Sequence, residues 1–203
     1  MFKALHQFLS EVDLEEKNIL SKLKEAEFKI LQHLFENLDK LAFYNSALSV
    51  AKQKTNNFES LSKHEKTLTI LQHTIAEDGL DLGNLPKGLI PFHKYNQTSL
   101  TPFEEHLEEA TAYAEKNGKV NLHFTISEGL DEDFNEVLKQ YLKNHSKNDV
   151  KYKIEYSYQK PSTDTIAVNE DNTPYRDESG ELFFRPGGHG ALIYNLNQVE
   201  AKL

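Results

Sequence analysis

An α/β protein is the class that this sequence predicts, with a helical N-terminal portion followed by a mainly parallel sheet. Three observations carry the prediction. The first 78 residues contain neither Gly nor Pro, while the remainder holds all nine Gly and all six Pro, so unbroken helix-compatible chain gives way to punctuated short elements. Two later segments alternate apolar and polar residues with the period of a strand. Helical segments with capping signals lie before and between those strands, and strand-helix-strand succession implies parallel pairing.

The elements follow in order. Leu20, Leu23, Ile30, Leu31, Leu34, Leu38, Leu41 and Ala42 recur at three- and four-residue steps, which places them on one stripe of a long amphipathic helix broken near Asn37 or Asn45. Ser62-Lys63-His64-Glu65 is a capping box, followed by Leu68, Leu71 and Ile75 and closed by Gly79. Residues 1–78 therefore form the helical portion and 79–203 the α/β portion, expected together as one structural unit. Thr101-Pro102-Phe103-Glu104 is a second capping box with Pro at the first helical position, opening a helix to about Asn117-Gly118. Val120, Leu122, Phe124 and Ile126 mark one strand, a helix spans roughly Leu130 to Asn144, and Val150, Tyr152, Ile154, Tyr156 and Tyr158 mark a second strand. That second strand carries Lys151, Lys153 and Glu155 on its other face. Interior parallel strands are apolar on both faces, so it lies near an edge or lacks a covering layer. The polar stretch 161–180 reads as a mobile lid or a surface hairpin.

Composition narrows the functional classes. The chain has 203 residues, 38% hydrophobic and 27% charged, enough for one sizeable core or two small ones. A net charge of −9 argues against general nucleic-acid binding but leaves room for a local phosphate site. The absence of cysteine excludes disulfides, thiolate zinc sites and cysteine nucleophiles, and it fits a cytoplasmic location. No apolar run approaches the roughly 20 residues that span a bilayer, and no signal peptide is evident. The nine histidines show no HExxH or paired zinc spacing and there is no GxSxG elbow, so neither a structural metal nor a serine hydrolase is expected.

Three segments could carry chemistry. Asn84-Leu85-Pro86-Lys87-Gly88 presents Lys87 on a rigid turn, either as a phosphate contact or as a surface lysine of an ordinary Pro-Gly turn. Tyr158-Gln159-Lys160-Pro161-Ser162-Thr163-Asp164 leaves the carboxyl end of a strand, where open α/β sheets bind ligands. Gln159 there offers a donor and an acceptor suited to a pyrimidine edge, with Asp164 nearby; the plainer reading is a Pro-terminated strand entering a polar loop. Arg185-Pro186-Gly187-Gly188-His189-Gly190 precedes an apolar, helix-like stretch. Its glycines would let a ring or phosphate lie against the main chain, and amides at a helix start attract anions. Arg176 and Arg185 are the only arginines and both fall in this neighbourhood. The plainer reading is a glycine-rich turn in which Arg185 makes a structural ion pair.

Taken together, Leu85-Pro86-Lys87-Gly88-Leu89, Thr101-Pro102-Phe103-Glu104-Glu105-His106-Leu107, Leu122-His123-Phe124-Thr125-Ile126-Ser127, the run from Gln159 to Val168 and the run from Phe184 to Leu192 resemble the bacterial family known as domain of unknown function 4301. A more distant resemblance is to UDP-sugar pyrophosphorylases, Rossmann-like nucleotidyltransferases of the nucleotide-diphospho-sugar transferase type. That resemblance implies a reaction between a nucleoside triphosphate and a sugar phosphate, assisted by Mg²⁺. It also implies that Lys87 contacts nucleotide phosphates, that Gln159 lies beside the base, and that Gly187, Gly188 and Gly190 pack against base and ribose. Asp164, Arg185 and His189 complete the expected substrate-binding set, His189 departing from the Asn or Gly of the similar enzymes.

The resemblance further implies an incomplete version of the fold, in which the triphosphate loop and the metal-binding Asp lie outside these residues and this chain alone is inactive. A non-catalytic nucleotide-sugar or protein-binding module of the same fold is the alternative. Self-association through the helical N-terminal portion is a third expectation, resting on its amphipathic stripe.

Overall fold

A computed structural model describes residues 2–12, 16–96, 98–145 and 150–200. The chain divides into two compact units, Met1–Glu105 and His106–Leu203. The first begins with the segment free of Gly and Pro, which folds as helices α1 (Phe2–Glu11), α2 (Glu16–Lys22), α3 (Lys29–Asn37), α4 (Tyr44–Lys54) and α5 (Lys63–Ile75), joined in part by single 3₁₀ turns. Their shared core is built from Leu5, Phe8, Ile19, Phe28, Leu31, Leu68 and Leu71, all essentially inaccessible. Phe8 packs edge-on against both Phe28 and Phe35, with ring centres 5.2 and 5.7 Å apart, a favoured aromatic geometry.

The single long helix expected across Leu20 to Ala42 is instead two helices and two 3₁₀ turns. The first break lies between α2 and α3, where the Gln32 side chain donates to the Leu23 carbonyl at 2.5 Å and satisfies a helix-end acceptor. The second falls at Asn37, as expected, while Asn45 lies inside α4. Rotating the helices independently buries Leu23, Leu31, Leu34, Leu38 and Ala42 but leaves Leu20 and Ile30 exposed.

Both capping boxes form. Ser62 N–H donates to Glu65 at 2.7 Å and Glu65 N–H donates to Ser62 Oγ at 3.4 Å; the Thr101 and Glu104 pair repeats this at 2.8 and 3.2 Å. Gly79 is required by a close approach, because a Cβ there would lie 2.1 Å from the His73 carbonyl oxygen at the end of α5. Residues Leu80, Leu82, Leu85 and Ile90 then fold back onto the helical core. A short antiparallel ribbon, β1 (His93–Tyr95) and β2 (Thr98–Leu100), completes this unit and leads into α6 (Pro102–Tyr113).

The second unit centres on β3 (Lys119–Ile126), α7 (Asp131–Asn144) and β4 (Lys151–Tyr158). Asn117 and Gly118, both left-handed, turn the chain into β3. The strands pair in parallel, Val120 opposite Tyr152 and Ile126 opposite Tyr158. Helices cover one face of the pair: Tyr141 of α7 meets Tyr152 edge-on at 6.0 Å, Phe134 lies 6.1 Å from Tyr156, and the Tyr152 hydroxyl donates to the Leu107 carbonyl at 3.3 Å. Burial, and then the bond to the Tyr152 hydroxyl, raise the Tyr141 pKa well above the ordinary phenol range.

Parallel pairing is confined to β3 and β4 among the described residues; the other sheets are two-stranded antiparallel ribbons. Among the described residues β4 has one strand neighbour and is an edge strand, and the helices pack on its Tyr152–Tyr156 face, which leaves Lys151, Lys153 and Glu155 exposed on the other. No helix among the described residues is long and apolar enough to cross a membrane.

Candidate functional site

The site grows from the carboxyl end of β4. Pro161 opens a 3₁₀ turn over Pro161–Thr163, and the Thr163 amide and hydroxyl both donate to the Lys160 carbonyl, at 2.8 and 2.7 Å. The chain leaves as β5 (Thr165–Ile166) and returns as β6 (Phe184–Arg185), antiparallel to it. Between them the polar stretch folds as hairpins. Main-chain bonds from Ala167 N to Phe183 O, Tyr175 N to Ala167 O and Phe183 N to Tyr175 O close a ring, at 2.8, 2.8 and 3.2 Å. Asp171 and Asp177 cap the two tips by accepting from Thr173 and Ser179. The polar stretch therefore folds as a surface hairpin.

The return strand delivers Gly187 onto the end of β4. Of the two orientations of the Gln159 amide, only one satisfies Gly187: its oxygen accepts from the Gly187 N–H at 2.6 Å and its nitrogen donates to the Gly187 carbonyl at 3.2 Å. The opposite orientation offers Asp164 a 3.3 Å bond but sets donor against donor at Gly187, so the first holds. Gly187 has no room for a side chain, since a Cβ would lie 2.7 Å from the Thr163 carbonyl oxygen and 3.0 Å from the Ala191 Cβ. Gly188 and Gly190 differ, because a Cβ at either would meet nothing within 4 Å, and neither has a left-handed backbone.

A 3₁₀ turn (His189–Leu192) and α8 (Ile193–Leu196) follow. The expected helix is only this short, so a helix dipole adds little to anion binding. Asn195 anchors it: its amide donates to Ser157 Oγ at 2.9 Å and to the Tyr158 carbonyl at 2.8 Å. Ser157 also meets His123 Nε2 at 2.9 Å and Thr125 Oγ1 at 3.1 Å. This polar cluster partly covers the second face of the strand pair. Asn195 Oδ1 and His123 Nδ1 are buried in it without partners among the described residues. On the helical side, the Tyr158 hydroxyl donates to Asp131, which raises the Tyr158 pKa.

These segments line an open cavity of about 590 Å³, within the size range of small-molecule sites. Lys160, Ser162, Thr163 and Thr165 form one wall; Gly187, Gly188, Gly190 and Ala191 form the other, with Tyr194 also lining the cavity. The Lys160 ammonium and the Ser162 and Thr165 hydroxyls have no hydrogen-bond or ion-pair partner among the described residues. No Asp or Glu lines the cavity. Such a wall offers positive charge, hydroxyl donors and accessible main chain to an anion.

Of the residues singled out from sequence, Gly187, Gly188 and Gly190 line this cavity, and Gln159 holds Gly187 in place. Asp164 is half-buried just after the turn. Arg185 is exposed on β6 opposite Thr165, without an ion pair among the described residues, and His189 is exposed at the start of its turn. Arg176 is spent within its own hairpin, donating to the Gly180 carbonyl at 2.8 Å. Lys87 belongs to the first unit, exposed on a 3₁₀ turn anchored by buried Leu89. Lys160 and Tyr194 were not among the expected substrate-binding residues. Lys160 follows the strand end directly, and Tyr194 stands one helical turn beyond Gly190, signals that were present but weak.

The fold and the site thus define an α/β protein with a glycine-lined, carboxylate-free cavity at the carboxyl end of a parallel strand. The family model described as Domain of unknown function (DUF4301) matches residues 1–203, and the chain belongs to that family. No curated protein and no solved structure matches it.

Proposed function

We propose that the cavity beside β4 binds the phosphate-bearing part of a nucleotide or sugar phosphate. The observation that carries this reading is the pairing of an unpartnered Lys160 with two glycines, Gly188 and Gly190, that neither packing nor backbone conformation demands. Glycine at such positions leaves the main chain open to close approach by a ligand. Tyr194, 57% exposed, supplies a ring on which a base can stack. Gln159 serves this site by holding Gly187 rather than by reading a base, and Arg185 adds an exposed cation close by in sequence.

The strand-helix-strand unit of β3, α7 and β4 is compatible with a Rossmann-like sheet, and the order of the Lys87, Gln159 and glycine-loop segments favours nucleotidyl transfer as the activity served. In that reaction an oxygen of the sugar 1-phosphate bonds to the α-phosphorus of a nucleoside triphosphate, the α–β anhydride bond breaks, and pyrophosphate leaves with the bonding electrons. Lys87 belongs to the other compact unit and is given no part in this cavity. The residues present do not fit Mg²⁺: no carboxylate lines the cavity, and no group of three His, Asp or Glu converges among the described residues. The missing carboxylate favours a second reading, a module that binds a nucleotide sugar without turning it over.

Calorimetric titration with UTP, a UDP-sugar and a sugar 1-phosphate tests the proposal. At least one should bind, and Lys160→Ala should weaken it about tenfold or more, the loss of a charge-assisted contact. If none binds the wild-type chain, or if Lys160→Ala binds equally well, the site assignment fails. Release of pyrophosphate from UTP and the sugar phosphate separates transferase from binding module.

A further inference from the structure

We infer that the open edge of β4 pairs antiparallel with the same edge of a second copy of this chain, on a two-fold axis through Ile154. The Lys151 N–H donates to the Gly118 carbonyl at 2.8 Å. In a parallel ladder, alternate residues aim their main chain at the same neighbour. Residues 151, 153, 155 and 157 therefore face β3, and the N–H and C=O groups of Tyr152, Ile154 and Tyr156 point outward. The outward carbonyl of Tyr158 is taken by Asn195, which ends the open stretch there. Among the described residues nothing pairs with the other three.

Charge selects the occupant. On the outer face Lys153 and Glu155 stand 68% and 55% exposed, bridged to each other at 2.6 Å. Centring an antiparallel partner on Ile154 sets Lys153 opposite Glu155 of the second copy, and Glu155 opposite its Lys153. The same register matches Tyr152 with Tyr156 across the axis and lets Ile154 exchange both hydrogen bonds with its counterpart. Shifting the axis to Lys153 opposes two lysines, and shifting it to Glu155 opposes two glutamates; like charges directly opposite are destabilising. Lysine on an edge strand ordinarily discourages pairing. Here Glu155 makes the edge complementary to itself in one register, which joins two parallel pairs into a continuous four-stranded sheet.

Sedimentation velocity of the full chain over a concentration series tests this. The wild type should dimerise. Glu155→Lys and Lys153→Glu should each weaken the dimer about tenfold or more, with circular dichroism reporting that each variant remains folded. The double variant carrying both changes restores opposite charges across the axis and should dimerise like the wild type. A wild type that stays monomeric, a dimer indifferent to both single changes, or a double variant no better than the singles would overturn the inference.

Discussion

Replacing Gly187 and Gly188 by alanine, one at a time, separates what the glycine loop does for folding from what it does for binding. At Gly187 the new Cβ would press on the Thr163 carbonyl oxygen at 2.7 Å and the Ala191 Cβ at 3.0 Å. Both contacts are with main chain or a fixed methyl, so the loop must move, straining the two bonds that join Gly187 to Gln159. Overpacking of this kind costs about 1–3 kcal/mol, and for a chain of this size each kcal/mol lowers Tm by roughly 2–4 °C. Gly187→Ala should therefore melt roughly 2–12 °C below the wild type. Gly188 has φ −74° and ψ −169°, allowed for any residue, and a Cβ there meets nothing. Alanine narrows the unfolded ensemble and should stabilise by about 0.5 kcal/mol, while its methyl enters the cavity and weakens ligand binding. Thermal unfolding with ligand titration reads both effects. A Gly187→Ala protein of unchanged Tm, or a Gly188→Ala protein that loses stability, would refute the reasoning.

Two further outcomes follow from the second unit. Asn195→Ala leaves the Tyr158 carbonyl and Ser157 hydroxyl without their amide donor, costing about 1–3 kcal/mol in urea unfolding; Asn195→Asp, which sets an acceptor against that carbonyl, should cost more. Unchanged stability in both would mean that α8 is not anchored this way. Tyr141, 1% exposed, has a pKa raised above its ordinary 10.0, first by burial and then by its bond to Tyr152. The folded state then holds this proton more tightly than the unfolded state. Its contribution is complete below about pH 10 and is lost as pH rises from there toward the folded pKa. The urea midpoint should fall as pH rises from about 10 to 12, less steeply in Tyr141→Phe; equal slopes would deny the linkage.

The local grammar of this chain was legible from sequence. Ser62 and Glu65, Thr101 and Glu104, the alternation from Val120 and from Val150, and the charged face of β4 each depend on neighbours a few residues apart, and each appears where the pattern places it. Three-residue and four-residue spacing could not reveal the break between α2 and α3, because the Gln32 side chain that stabilises it reaches a carbonyl nine positions earlier. The same limit applies to the site. Glycines, a lysine after a strand and hydroxyls in a turn can be read as letters, and so the GGHG segment and the end of β4 stood out. That Gln159 holds Gly187, that Gly187 is pressed against Thr163 while Gly188 and Gly190 open onto a cavity, and that Tyr194 joins the lining are decided by the β5–β6 return. By itself the sequence determined the α/β class, the two capping boxes, the two alternating strands and the residue types available for chemistry, since these follow from local sterics and periodicity. Only the tertiary structure decided which glycine is structural and which is open, because that depends on atoms brought together from segments more than twenty residues apart.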